Sequence, residues 1–174
     1  MFTSVVVAVD GSEQAGKALE IAAELAARDQ LPLSVVHVVD SVNMVIPEDL
    51  RRMVDIEHIN DLSPRMPGNI DRVPVDVVTA MADSAASNQK ALFQFAEFIV
   101  KQAEKKARQV GVKQIYGSVE LGNPAHAILE FARRQKADLI VTGSRGFGPI
   151  KSLLIGSTSS KVTQLATCSC LTVK

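Results

Sequence analysis

A doubly wound parallel α/β sheet is the fold that this 174-residue sequence predicts, and three observations carry it. Short apolar runs rich in Val and Ile recur without polar alternation, the mark of strands buried on both faces. Stretches with apolar residues at helical spacing lie between them, so helices join the strands. Apolar residues make up 47% of the chain, aromatics only 4%, and Trp is absent, so the core is built from Ala, Val, Ile and Leu. This length suits one domain, residues 1–174, with a substantial core.

Residues 4–9, SVVVAV, read as the first strand. From Ser12 to Arg28, the residues Ala15, Ala18, Leu19, Ala22, Leu25 and Ala26 recur at helical spacing and form one packing stripe. Residues 33–39, LSVVHVV, read as a second buried strand, and a strand, helix and strand in this order favour a right-handed crossover. Residues 41–86 break the pattern: Ile46, Leu50, Met53 and Val54 outline a short helix, and SPRMPGN ends it. So long a connection in a compact domain is expected to be a lid, an interaction loop or a mobile insertion.

The pattern returns at Asn88–Val110, where Leu92, Phe95, Ala96, Ile99, Ala103 and Ala107 form a stripe. Glu97 with Lys101 and Glu104 with Arg108 are four-spaced ion pairs, and Gly111 ends the helix. QIYGSVE is a third strand. Asn123 then caps a helix with Pro124 in its first position and Ala125, Ile128, Leu129 and Ala132 on its buried side. ADLIVTGS is the central strand and CLTVK the last, with a helix between them that Ser157 caps and whose stripe is Val162, Leu165 and Ala166.

Charge and cysteine usage exclude several classes of partner. Lys plus Arg number 19 and Asp plus Glu also 19, so no global field draws in nucleic acid or an anionic membrane. Cys168 and Cys170 lie too close along an ordinary strand to bridge and are too few for a disulfide framework. They read as small buried side chains, with a redox or metal pair as the alternative. No basic region precedes the first apolar run, and no segment approaches about 20 consecutive apolar residues, so a cytoplasmic protein without membrane insertion is expected.

Two stretches bear on phosphate binding. VVVAVDGSEQAGKALE nearly spells the strand, glycine loop and lysine of a P-loop, but Ala18 follows Lys17 where a magnesium-binding hydroxyl is needed. Lys17 then reads as a surface lysine on a helix already under way. The better stretch is TGSRGFGPIKSLLIGSTSS, residues 142–160. Its glycines let backbone N–H groups approach a phosphate and tolerate the positive φ that turns them inward, and a helix N-terminus adds unpaired donors and partial positive charge. The plainer alternative is a flexible turn followed by hydroxyls that merely cap a helix.

The spacing of Gly143, Gly146, Gly156 and Ser157 resembles the nucleotide-binding signature of the ATP-binding branch of the universal stress protein family. VVVAVDGSEQAGKALEIAAELA, LSVVHVVD and GNPAHAILEFARRQKADLIVTGSRG are similar to that family's opening strand and helix, second strand, and later helix and strand. The resemblance covers residues 3–40 and 88–174, and it implies that residues 41–86 are a variable insertion, since family members vary in length there. It implies a five-stranded sheet in the order 3-2-1-4-5, with the switch in direction between the first and fourth strands.

It also implies a site. Ala8 and Val9 would lie against the adenosine and Asp10 beside the ribose and phosphates, with a Mg²⁺-bridged role open to Asp10. Val38 would line the adenine pocket. Thr142, Gly143 and Gly146 would border the ribose and phosphates, and Gly156, Ser157, Thr158 and Ser159 would bind the phosphate chain. Arg145 points to the phosphates or is simply solvated, and Asp10 has helix capping as its alternative. The ligands implied are ATP and Mg²⁺, the state a homodimer joined through the C-terminal edge strand, and the role a stress-response regulator with a protein partner. Where the family commonly reads Cys-Pro-Val, this chain reads CSCLTVK, which bears on the dimer geometry.

No partner for catalysis is named by His37, His58 or His126, so the chain reads as a binding protein and not an enzyme. The alternatives are a nucleotide-hydrolysing or nucleotide-transferring enzyme and an AMP or cyclic-AMP module. Nucleotidyltransferases of related fold carry His-x-Gly-His after the first strand, where this chain has DGSEQAG, and electron-transfer flavoproteins are usually longer.

Overall fold

The computed structural model describes residues 1–40, 85–146 and 155–174, with side chains described from residue 92 in the second of these segments. Strands β1 (Val5–Ala8), β2 (Leu33–Val39), β3 (Ile115–Leu121), β4 (Leu139–Gly143) and β5 (Ser169–Val173) alternate with helices α1 (Glu13–Asp29), α2 (Ala85–Val110), α3 (Pro124–Arg134) and α4 (Ser157–Leu165). The five strands form one parallel sheet in the order β3-β2-β1-β4-β5, as expected. The short helix expected around Ile46 to Val54, the SPRMPGN break, His58 and Gly148 lie outside the described residues.

Each face of the sheet is covered by helices, and each carries its own core. Val5, Val7, Val9, Leu33, Val35 and Val141 pack with α1 and α2 through Ala18, Leu19, Ala22, Phe95, Ile99 and Ala103. Val6, Val36 and Ile140 pack with α3 and α4 through Ala125, Ile128, Phe131, Ala132 and Val162. Neighbouring strand residues point to opposite faces, so a run such as VVV feeds both cores, which is why these strands carry no polar alternation. The small residues of α1 let it approach the sheet closely, and Ala18 and Ala22 are fully buried.

The helix boundaries have local causes. Ser12 accepts the Ala15 N–H at 3.2 Å and caps α1, and Asn123 Oδ1 accepts the His126 N–H and caps α3 with Pro124 in the first turn. Gly111, at φ +106, lets the chain leave α2 in the left-handed region that a side chain would resist. Glu104 and Arg108 come within 3.9 Å on α2, a surface pair of small energetic weight. Lys17 pairs with Glu13 at 3.0 Å on the exposed side of α1, as a surface lysine does.

Three expectations change. Ser157 does not cap α4: Gly156 holds that position without a side-chain bond, and Ser157 is the first helical residue. Leu165 leaves the expected stripe and is 52% exposed, because a helix of nine residues touches the sheet mainly through Val162. Cys168 and Cys170 are free and half-buried against the α3 and α4 core, since among the described residues β5 is the last strand of the sheet and has a neighbouring strand on one side.

Candidate functional site

The crossovers place the site. From β1 the chain passes through α1 to β2 on one side, and from β3 through α3 to β4 on the other, so β1 and β4 diverge at their carboxyl ends. A cavity of about 240 Å³ opens there, on the α3 and α4 face, somewhat smaller than the ~300–1,000 Å³ usual for small-molecule sites. One side is apolar, formed by Ala8, Val9, Val36, Val38, Pro124 and Ile128. The other is polar and glycine-rich, formed by Asp10, Thr142, Gly143, Arg145, Gly146 and the start of α4 from Gly156 to Ser159.

All twelve residues that the sequence singled out therefore border one cavity. Among the described residues four more border it that were not assigned to it: Ala15, Val36, Pro124 and Ile128. The signals were present, because Val36 precedes Val38 by one strand repeat and Ile128 follows Pro124 by one helical turn.

The glycines act through space and not through backbone conformation. Among the described glycines, positive φ occurs at Gly11, Gly111 and Gly122, and not at Gly143, Gly146 or Gly156, so these three do not turn N–H groups inward by a left-handed backbone as expected. A Cβ on Gly143 would stand 2.8 Å from the Ala15 nitrogen and the Gln14 carbonyl carbon in the first turn of α1. On Gly146 it would run into the Asp10 carboxylate. The absence of side chains here thus lets β4, the loop and α1 close up beside the cavity.

Hydrogen bonds hold the polar wall. Asp10 Oδ1 accepts the Ser12 N–H at 2.9 Å, so Asp10 supports the turn into α1 while Ser12, not Asp10, caps the helix. The buried Ser144 carbonyl accepts the Gly156 N–H at 2.6 Å and the Ser159 hydroxyl at 3.2 Å, tying the two ends of the loop together. Ser159 is 4% exposed and its hydroxyl turns inward, whereas Ser157 is exposed and Thr158 half-exposed. With no side chain capping α4, its first-turn N–H groups and partial positive charge face the cavity, a ready anion site.

Behind β1, His37 Nδ1 lies 2.8 Å from the Val9 oxygen. Burial lowers the His37 pKa below its usual value, against the opposing pull of that bond and the Asp10 charge, so the ring is neutral at pH 7. Burial pushes both thiols up, with Asp138 adding to the effect at Cys168, which keeps them protonated. Among the described residues no group of three His, Cys, Asp or Glu side chains is arranged to hold a metal ion, and no helix is long and apolar enough to cross a membrane. His126 lies exposed in the first turn of α3.

A parallel sheet with a cavity at its switch point, walled by an uncapped helix N-terminus and side-chain-free loop positions, defines a Rossmann-like α/β protein. The profile of the universal stress protein family matches residues 1–66 and 69–174, and the chain belongs to that family. Universal stress protein YxiE of Bacillus subtilis (strain 168) is 34% identical over 177 residues, spanning 100% of each chain. Among solved structures, a universal stress protein in complex with cAMP has a TM-score of 0.59 at 21% identity, covering 99% of this chain and 96% of that one. The universal stress protein from Archaeoglobus fulgidus in complex with dAMP has a TM-score of 0.56 at 21% identity, covering 99% and 98%. At these identities the likeness to the two structures is one of fold.

Proposed function

We propose that the protein binds an adenine nucleotide, ATP with Mg²⁺, in this cavity and works as a homodimeric, nucleotide-dependent regulator of the stress response in the cytoplasm. The observation that carries the reading is the division of the cavity: an apolar side of Ala8, Val9, Val36, Val38 and Ile128 for a base, facing the uncapped start of α4 for phosphates. Two proteins of the same fold supply independent support, since one is in complex with cAMP and the other with dAMP, both adenine nucleotides. In this reading Asp10 lies beside the ribose and phosphates and would hold the Mg²⁺, which would supply charge neutralisation, Thr142, Gly143 and Gly146 border the ribose and phosphates, and Ser157 and Thr158 donate to the phosphate chain. Ser159 acts through its backbone, because its hydroxyl serves the Ser144 carbonyl.

Binding acts by linkage. A nucleotide that prefers one arrangement of the loop after β4 shifts the population toward it, by no more than its difference in affinity for the two arrangements. The outer edge of β5, unpaired among the described residues and with Leu171 39% exposed, is the surface for a second copy of the chain, and a regulated protein partner reads the resulting state. Chemical turnover is no part of the proposal. A second reading, a module for AMP or cyclic AMP, is favoured by the monophosphates in the two complexes.

Calorimetric titration of ATP, AMP and cyclic AMP, with and without Mg²⁺, into protein shown to be nucleotide-free decides among these. The expected result is micromolar ATP binding that Mg²⁺ strengthens and that Asp10→Asn weakens about tenfold. Preference for AMP or cyclic AMP establishes the second reading, steady phosphate release well above background establishes an enzyme, and no binding of any of the three overturns the proposal.

A further inference from the structure

His37 and Val38 are neighbours on β2, so their side chains point to opposite faces of the sheet. Val38 borders the cavity, while the His37 imidazole turns to the Val9 carbonyl at the end of β1, with Nδ1 2.8 Å from the oxygen. A carbonyl oxygen only accepts, so Nδ1 carries the proton. The bond sits where the parallel ladder between β1 and β2 stops. Ala8 is paired with Val36, and the Val9 N–H still donates to the Val36 oxygen at 2.9 Å. In a parallel ladder the next bond runs from the Val38 N–H to the Val9 oxygen. Among the described residues no backbone bond joins those two groups, and the imidazole stands in its place.

We propose that His37 is a positioning residue for the cavity: by taking the Val9 carbonyl it stops the β1–β2 ladder one bond short and leaves the Val38 amide open at the cavity floor for a ring acceptor of a bound purine. The proposal rests on the nucleotide reading for its ligand, and on the ladder geometry for everything else. A closed bond would hold the two strands at the usual ~4.8 Å spacing one residue further and tie down the amide. With the ladder stopped at Val9, the chain turns at once, and Asp10 makes its bond to the Ser12 N–H instead of continuing the strand.

Three variants of the full chain test it, by NMR amide exchange in the nucleotide-free protein and by ATP titration. His37→Leu removes the donor; the Val38 amide is expected to close on the Val9 oxygen, slowing its exchange about tenfold, and ATP affinity falls about tenfold. His37→Asn puts Nδ2 on Cγ, in the place of Nδ1, and restores both wild-type values. His37→Gln carries its donor one bond further out and behaves like His37→Leu. A merely structural role predicts the opposite exchange result, because lost packing loosens amides. Unchanged or faster Val38 exchange in His37→Leu overturns the proposal, as does a His37→Asn protein that behaves like His37→Leu. Slower exchange with unchanged ATP affinity overturns the link to the ligand. A wild-type protein that binds no adenine nucleotide refutes the nucleotide reading by itself, and the exchange comparison still decides whether His37 holds the ladder open.

Discussion

Replacing Gly143 by Ala tests whether the close approach of β4 to α1 is what requires glycine at the cavity wall. The new methyl group would sit 2.8 Å from two backbone atoms of the first turn of α1, the Ala15 nitrogen and the Gln14 carbonyl carbon, and 3.0 Å from the Gln14 Cβ. Ordinary contact begins near 3.4 Å, so the two elements must separate by about 0.6 Å. Backbone atoms cannot rotate away as a side-chain tip can, and a close-packed interior transmits the displacement. Overpacking of this kind costs about 1–3 kcal/mol, which at this chain length lowers the Tm by roughly 2–12 °C. The control is Gly156→Ala. There φ is −70°, and the atom nearest the added Cβ is the Ser144 carbonyl oxygen at 3.4 Å, so the expected cost is below about 1 kcal/mol. Thermal unfolding followed by circular dichroism measures both. A Gly143→Ala protein that melts within about 1 °C of wild type, or a Gly156→Ala protein that melts lower than it, refutes the reasoning.

Other perturbations follow from single contacts. Ile128→Ala removes a side chain that is 4% exposed and belongs both to the α3 core and to the cavity lining; urea unfolding should show a loss of about 2–4 kcal/mol. Asp138→Asn weakens a clamp in which the carboxylate accepts from the Thr3 N–H at 2.8 Å, the Thr3 hydroxyl at 2.9 Å and the Ser4 N–H at 3.2 Å, for about 1–2 kcal/mol at pH 7. Burial raises the Asp138 pKa, but these bonds outweigh it and hold the group below its usual 3.8. Its stabilisation is therefore present above that pH and is lost as the pH falls further, so the gap between wild type and Asp138→Asn should shrink in acid. For His37 the folded pKa lies below the usual 6.5, so as the pH drops through that value the unfolded chain takes up the proton first. Wild-type stability should lie level above about pH 6.5 and decline below it, with a steeper decline than in His37→Asn.

Much of the architecture was legible because burial leaves a one-dimensional signature. Strands between two layers of helices must be apolar on both faces, and LSVVHVV is β2 residue for residue. Asn123 and Pro124 announced the start of α3 because capping depends on residues within one turn. The start of α4 misled for the same reason: a hydroxyl run invites a capping role, but the tertiary bonds from Gly156 and Ser159 to the Ser144 carbonyl draw the chain one residue earlier into the N-terminal position. Phe131, buried at 1% exposure and stacked on Tyr116 at 6.1 Å, was missed because its neighbours Arg133 and Arg134 disguise the stripe.

The sequence alone determined which faces are buried, the alternation of strands and helices, and the glycine and hydroxyl positions that border the cavity, since each is a matter of residue chemistry at short range. Tertiary structure decided why those positions matter. The Gly143 requirement comes from the first turn of α1, more than a hundred residues earlier in the chain, and the Gly146 requirement from the Asp10 carboxylate. The His37 bond to Val9 likewise arises only when two strands align in register. Contacts between distant segments depend on packing geometry, which leaves no local pattern to read.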